Sequence, residues 1–120
     1  MARILVVDDD PANLEMVSRA LKGDGHEVVA CEEGQDALAH LVAAPAEFDL
    51  LVSDMQMPGL DGVALAKRAV AASPRLRIVL MSGFAGGVER ARTIKGAAVR
   101  FLSKPFTLEQ VRSEVRAALA

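Results

Sequence analysis

Hydrophobic residues along this chain alternate between two patterns, and the alternation predicts the fold. Residues 4–7 are a continuous β-branched and leucine run, the pattern of a strand covered on both faces in a parallel sheet. Beyond Asp8-Asp9-Asp10, the residues Leu14, Val17 and Leu21 form a helical stripe. Asp10 is placed to act as its N-cap, Pro11 takes the first helical position, and Gly23 and Gly25 end it. Residues 28–31 predict a short second strand, and residues 35–43 a second helix with Leu38, Leu41 and Val42 on one face, stopping before Pro45. The apolar run 49–54 predicts a buried third strand with a carboxylate, Asp54, at its tip, stopped by Met57-Pro58-Gly59.

Asp61 then caps a third helix carrying Val63, Ala66 and Val70, with Ser73-Pro74 as a break before a fourth strand at residues 77–82. From 83 to 96 the stripe is thin (Val88, Ala91, Ile94), and Gly86 and Gly87 each lower helix propensity by ~1 kcal/mol against Ala. A weak, mobile fourth helix is expected there. Residues 99–102 predict a fifth strand, and Thr107-Leu108-Glu109-Gln110 is a capping box opening a last helix with Leu108, Val111, Val115 and Leu119 aligned. Five strands alternating with five helices through short loops imply an α/β fold, a doubly wound parallel sheet with helices on both faces. Ligands in such sheets sit beyond the carboxyl ends of the strands, where strand order reverses. Here those ends carry Asp8, Asp9, Asp54, Ser82 and, just past the fifth strand, Lys104.

Composition narrows the class. A chain of 120 residues, 52% hydrophobic and 25% charged, fits one globular domain over 1–120. No apolar run approaches the ~20 residues of a membrane span, and no secretory leader is visible, so a soluble, cytoplasmic protein is expected. A net charge of −2, with four Phe and no Trp or Tyr, argues against a nucleic-acid surface. Cys31, the single cysteine, excludes an internal disulfide and reads as a small packed residue, and His26 and His40 read as ordinary surface residues.

Three carboxylates converging on one crevice repel each other unless a cation joins them. With no Cys or His nearby, a hard divalent ion such as Mg²⁺ suits the oxygen donors and Zn²⁺ does not. A carboxylate beside such an ion can also capture a phosphoryl group as an acyl phosphate. The transferring group then needs positive or donor groups around it, which Lys104 and Ser82 can supply.

Those residues carry a family resemblance over essentially the whole chain. Asp8-Asp9, Asp54 followed by Met57-Pro58-Gly59-Leu60-Asp61-Gly62, Ser82, and Phe101-Leu102-Ser103-Lys104-Pro105-Phe106 together resemble a response-regulator receiver domain of bacterial two-component signalling. The resemblance implies a flavodoxin-like (βα)5 fold with strand order 2-1-3-4-5. It implies that Asp54 takes a phosphoryl group from a histidine kinase or a histidine phosphotransfer protein, and that Mg²⁺ is bound by Asp9, Asp54 and the Gln56 carbonyl, supported by Asp8. Lys104 and Ser82 would contact the phosphoryl group, Phe101 would be the switching aromatic, and Lys104–Pro105 a cis peptide. The output would be a changed surface of fourth helix, fifth strand and fifth helix, read by a downstream protein. A stand-alone receiver is expected.

The chain also departs from the family pattern. Ser82 stands where Thr is commonest, keeping the hydroxyl but losing a methyl that would restrict its rotamer. Phe101 replaces the frequent Tyr. Gln56 and Phe84 occupy places that tune acyl-phosphate hydrolysis in the family, and Phe84 is expected to shield the phosphoryl group from water.

Taken singly, each residue has a plain alternative. Asp8-Asp9-Asp10 could be a capping turn, Asp54 a loop-start carboxylate, Lys104 a solvated lysine, Ser82-Gly83 a turn, and Phe101 a core residue. Asp8-Asp9-Asp10 also resembles the first motif of haloacid-dehalogenase-type phosphatases, which would make Asp8 the nucleophile. A phosphorylation-independent pseudo-receiver is the third reading. Nucleotide-binding glycine motifs are absent.

Overall fold

The computed structural model describes residues 1–83, 87–95 and 98–120. Its elements alternate as β1 (Arg3–Val7), α1 (Pro11–Gly23), β2 (Glu27–Cys31), α2 (Gly34–Ala43), β3 (Leu50–Asp54), α3 (Gly62–Ala72), β4 (Arg77–Ser82), α4 (Gly87–Ala91), β5 (Val99–Ser103) and α5 (Leu108–Leu119). The strands form one parallel sheet in the order β2-β1-β3-β4-β5, the doubly wound, flavodoxin-like arrangement.

Strand pleating divides the core in two. On one face Leu5, Val7, Leu51, Ile78 and Leu80 pack with Ala37 and Leu41 of α2, Val63 and Ala66 of α3, and Ala91 and Ile94. On the other, Ile4, Val6, Leu50, Val52, Val79 and Met81 pack with Leu14, Val17 and Leu21 of α1 and with Val111 and Val115 of α5. Alternate residues of one strand thus serve opposite layers. That is why β1, β3 and β4 read as unbroken apolar runs, and each buried Leu, Ile or Val contributes roughly 1.5–3 kcal/mol.

Helix ends follow the local chemistry. The Asp10 carboxylate accepts from Ala12 N at 3.0 Å with Pro11 next, Asp61 accepts from Ala64 N at 2.9 Å, and Thr107 and Gln110 form a reciprocal capping box. Cys31 is buried and carries a free thiol whose pKa burial and nearby Asp36 push up.

Two expectations change. Val42 is 64% exposed, because the buried stripe of α2 runs through Gly34, Ala37 and Leu41 and the next residue lies about 100° round the helix. Leu108 is also exposed, at 41%. As the first residue of α5 its side chain leans past the helix N-terminus, where it borders a groove with Ala12 and Met16 of α1. Within the segment expected to hold a weak fourth helix, the described helix is short, Gly87–Ala91, and Ala91 and Ile94 beyond its start are buried. Phe84 and Gly86, on which the shielding and weak-helix expectations rest, lie outside the described residues.

Candidate phosphoacceptor site

Register fixes where the strand ends meet. Val7 pairs with Ser53, Asp54 with Met81 and Ser82 with Ser103, so the residues that follow these positions gather along one edge. Asp8, one residue past β1, is fully buried and its N–H donates to the Cys31 carbonyl at 3.1 Å. Asp54 is 6% exposed, whereas Asp9 faces solvent. One carboxylate oxygen from each of the three lies within 4.8 Å of the others.

Lys104 reaches this cluster from the β5–α5 loop. Its ammonium lies 3.4 Å from Asp8 Oδ2 and 3.3 Å from Asp54 Oδ2, and its backbone N–H donates to the Ser82 carbonyl at 2.8 Å. The Lys104–Pro105 peptide is cis. Asp8 also accepts from Asp10 N at 2.9 Å and from the Asn13 side-chain amide. Asp54 Oδ1 accepts from Gln56 N at 3.3 Å.

The two buried carboxylates have different surroundings. At an effective dielectric of about 20, the Lys104 contact at 3.3 Å attracts Asp54 by about 5 kcal/mol, and the neighbouring Asp8 carboxylate repels it by less. Burial nevertheless dominates: it pushes the Asp54 carboxyl above its usual pKa and Asp8 adds to the rise, while Lys104 and the Gln56 N–H oppose it incompletely. The site is short of positive charge. Its donors are hard oxygens held together without His or Cys, which fits a hard divalent cation such as Mg²⁺.

The remaining candidates take separate places. Ser82 is buried at the end of β4 beside the backbone of Lys104. Gln56 is exposed and meets Asp54 through its amide N–H. Phe101 stands outside the carboxylate cluster, half-buried in β5 opposite Leu80 and packed on the core layer that holds Ala91 and Ile94.

Sequence reasoning missed two contributors, Asn13 and Arg90, and gave no packing reason for a third, Gly62. Asn13, in the first turn of α1, donates to Asp8, and its place soon after an N-cap that borders the site was the available signal. Gly62 donates through its N–H to the Met55 carbonyl at 3.1 Å, and a Cβ there would stand 2.1 Å from the Asp54 carbonyl oxygen, so only glycine lets α3 close against the end of β3. Arg90 of α4 pairs with Asp61 at 2.7 Å, which no local pattern announces.

Residues 4–116 match the family described as the response regulator receiver domain. The chain belongs to that family. It is 34% identical to the response regulator receiver protein CpdR of Brucella abortus, over 99% of this chain and 98% of that protein. It is 32% identical to the transcriptional regulatory protein ZraR of Salmonella typhimurium, over 98% of this chain. The chain spans only 26% of ZraR's length, so the activity of that longer protein does not carry over. Among solved structures it superposes on the Vibrio cholerae chemotaxis protein CheY4 with TM-score 0.88, at 28% identity over 99% of both chains. As a receiver domain it is a signalling module of two-component systems, and its acidic cluster is compatible with Mg²⁺. No helix among the described residues is long and apolar enough to cross a membrane.

Proposed function

We propose that residues 1–120 act as one receiver domain in which Asp54 accepts a phosphoryl group from a phosphohistidine of a histidine kinase or histidine phosphotransfer protein. The observation that carries this reading is the Lys104 ammonium lying between Asp8 and Asp54 at 3.4 and 3.3 Å. A cation from a separate loop aimed at a buried carboxylate is what a transferring phosphoryl group needs, since its charge spreads over three oxygens.

An Asp54 carboxylate oxygen attacks phosphorus and the P–N bond to the donor imidazole breaks. The electron pair leaves with the imidazole nitrogen, which then takes a proton from solvent. Asp9 and Asp54, the Gln56 carbonyl and the supporting Asp8 would hold Mg²⁺. Held there, the ion would supply positive charge against the acceptor carboxylate and the incoming phosphoryl group. Lys104 pairs with one phosphoryl oxygen and the Ser82 hydroxyl donates to another. Because Ser82 is bonded through its backbone to Lys104, their movement toward the new charge is coupled to β5. Phe101, half-buried in that strand, changes its packing, and the surface of α4, β5 and α5 that a downstream protein reads changes with it.

Asp8 suits a supporting role better than a nucleophilic one, because it already accepts from Asp10 N, Asn13 and Lys104. Incubation with a small acyl-phosphate donor and Mg²⁺, followed by mass spectrometry, tests the assignment. Wild type and Asp8→Asn should both gain one phosphoryl group, the latter slowly, and Asp54→Asn none. Labelling of Asp54→Asn but not Asp8→Asn would identify Asp8 as the acceptor, and no Mg²⁺-dependent labelling of wild type would identify a pseudo-receiver.

A further inference from the structure

Helix α4 is tied to the acceptor loop by one short charged contact. Asp61 uses both carboxylate oxygens: Oδ1 caps Ala64 N at 2.9 Å, and Oδ2 accepts from Arg90 Nη2 at 2.7 Å. Asp61 has little freedom relative to Asp54, because the adjoining Gly62 donates to the Met55 carbonyl and abuts the Asp54 carbonyl. On the other side, Arg90 precedes Ala91, which with Ile94 is buried in the core layer against which Phe101 packs. Among the described residues, the polar side-chain tie from α4 to another element runs through Arg90 to Asp61. The pair also borders a cleft beside the site with Gln56, Met57 and Pro58.

We propose that the Asp61–Arg90 pair is a latch holding α4 against the β3–α3 loop in the phosphoryl-free arrangement, so that Arg90 acts through Asp61 to oppose phosphoryl binding. The inference rests on the phosphoacceptor reading of Asp54. The observed pair coexists with Lys104 lying between Asp8 and Asp54, the place a phosphoryl group would claim. The proposed latch would open as Ser82 moves toward such a group, since α4 begins five positions further along the chain. A charge-assisted hydrogen bond of 2.7 Å weakens steeply when lengthened. A bond made in one state only lowers the affinity of any ligand that selects the other state, by the factor the bond contributes.

Beryllofluoride, a phosphoryl mimic, provides the test when titrated in Mg²⁺ buffer by calorimetry, since the chain has no Trp or Tyr for intrinsic fluorescence. Arg90→Ala removes the cation, and Asp61→Asn removes the charge while retaining an oxygen to cap Ala64. Each is expected to bind roughly two- to fivefold more tightly than wild type, the range for a partly exposed ion pair, and the double variant no more tightly than either. Arg90→Lys, which keeps the charge, should move back toward wild type. Equal or weaker affinity in both single variants would overturn the latch while wild-type binding upheld the phosphoacceptor reading. So would factors that multiply in the double variant. A wild type that binds no beryllofluoride would overturn both.

Discussion

Replacing Asp54 with Asn should make the protein more stable when divalent metal is absent. The carboxylate is 6% exposed, and burial, reinforced by Asp8, raises its pKa against the opposition of Lys104 and the Gln56 N–H. A carboxyl with a raised folded pKa is protonated more readily in the folded than in the unfolded chain. Stability therefore falls as pH rises from the ordinary value of 3.8 through the folded pKa, and the full deficit is present above it. Charge–charge terms alone would favour the carboxylate: attraction of about 5 kcal/mol to Lys104 at 3.3 Å exceeds the repulsion from Asp8. Desolvation of a buried ion, several kcal/mol, outweighs that margin. The amide keeps the shape and removes the charge, and about 1–2 kcal/mol of added stability is expected, the usual return from relieving a functional site. For a domain of this size that raises Tm by about 3–8 °C. Wild type should recover about 1.4 kcal/mol with Mg²⁺ at ten times its Kd, and the variant less. Thermal unfolding followed by circular dichroism, in chelator and in Mg²⁺, measures both, and the gap should shrink near about pH 3. A wild type more stable than Asp54→Asn in chelator at neutral pH would refute the dominance of burial.

Gly62→Ala should cost about 3 kcal/mol in urea unfolding, because its Cβ would meet backbone at 2.1 Å, whereas a Cβ at Gly83 meets nothing within 4 Å among the described residues and Gly83→Ala should stay within about 0.5 kcal/mol. Asp61→Ala removes a cap contributing about 1 kcal/mol and a partly exposed ion pair contributing about 0.5 kcal/mol. Burial pushes the Asp61 carboxyl up, but the Ala64 N–H and Arg90 more than offset it, so its pKa lies below the usual 3.8. That contribution is fully present above 3.8 and is lost as pH falls through the folded pKa, so midpoints of wild type and Asp61→Ala should converge on acidification. Val115→Ala, at a position 1% exposed, should cost about 2 kcal/mol, and Leu108→Ala, at one 41% exposed, under about 1 kcal/mol; equal losses would contradict the burial described for α5.

Much of the architecture was legible because the signals are local. Unbroken apolar runs mark strands buried on both faces, Asp10-Pro11 and Thr107 to Gln110 mark helix starts, and strict alternation leaves a parallel sheet as the way to bury both periodicities. Val42 and Leu108 were misplaced because a helical stripe fixes neighbours on a face but not which edge of that face meets the sheet. The site was legible as a set of residue types at strand ends, since the doubly wound fold sends all those ends to one edge. Its electrostatics were not. That Asp8 is saturated with donors while Asp54 is short of positive charge depends on Asn13, Lys104 and the depth of each carboxylate, which only the assembled layers set.

The sequence by itself determined the order of elements, their caps and the supply of carboxylates, a hydroxyl and a lysine to strand ends, because hydrophobic period and backbone chemistry act within a few residues. Tertiary structure decided which carboxylate is exposed and which buried, why position 62 must be glycine, and that Arg90 reaches Asp61. Those depend on distances between elements far apart in the chain, and no local pattern encodes a 2.7 Å contact across 29 positions.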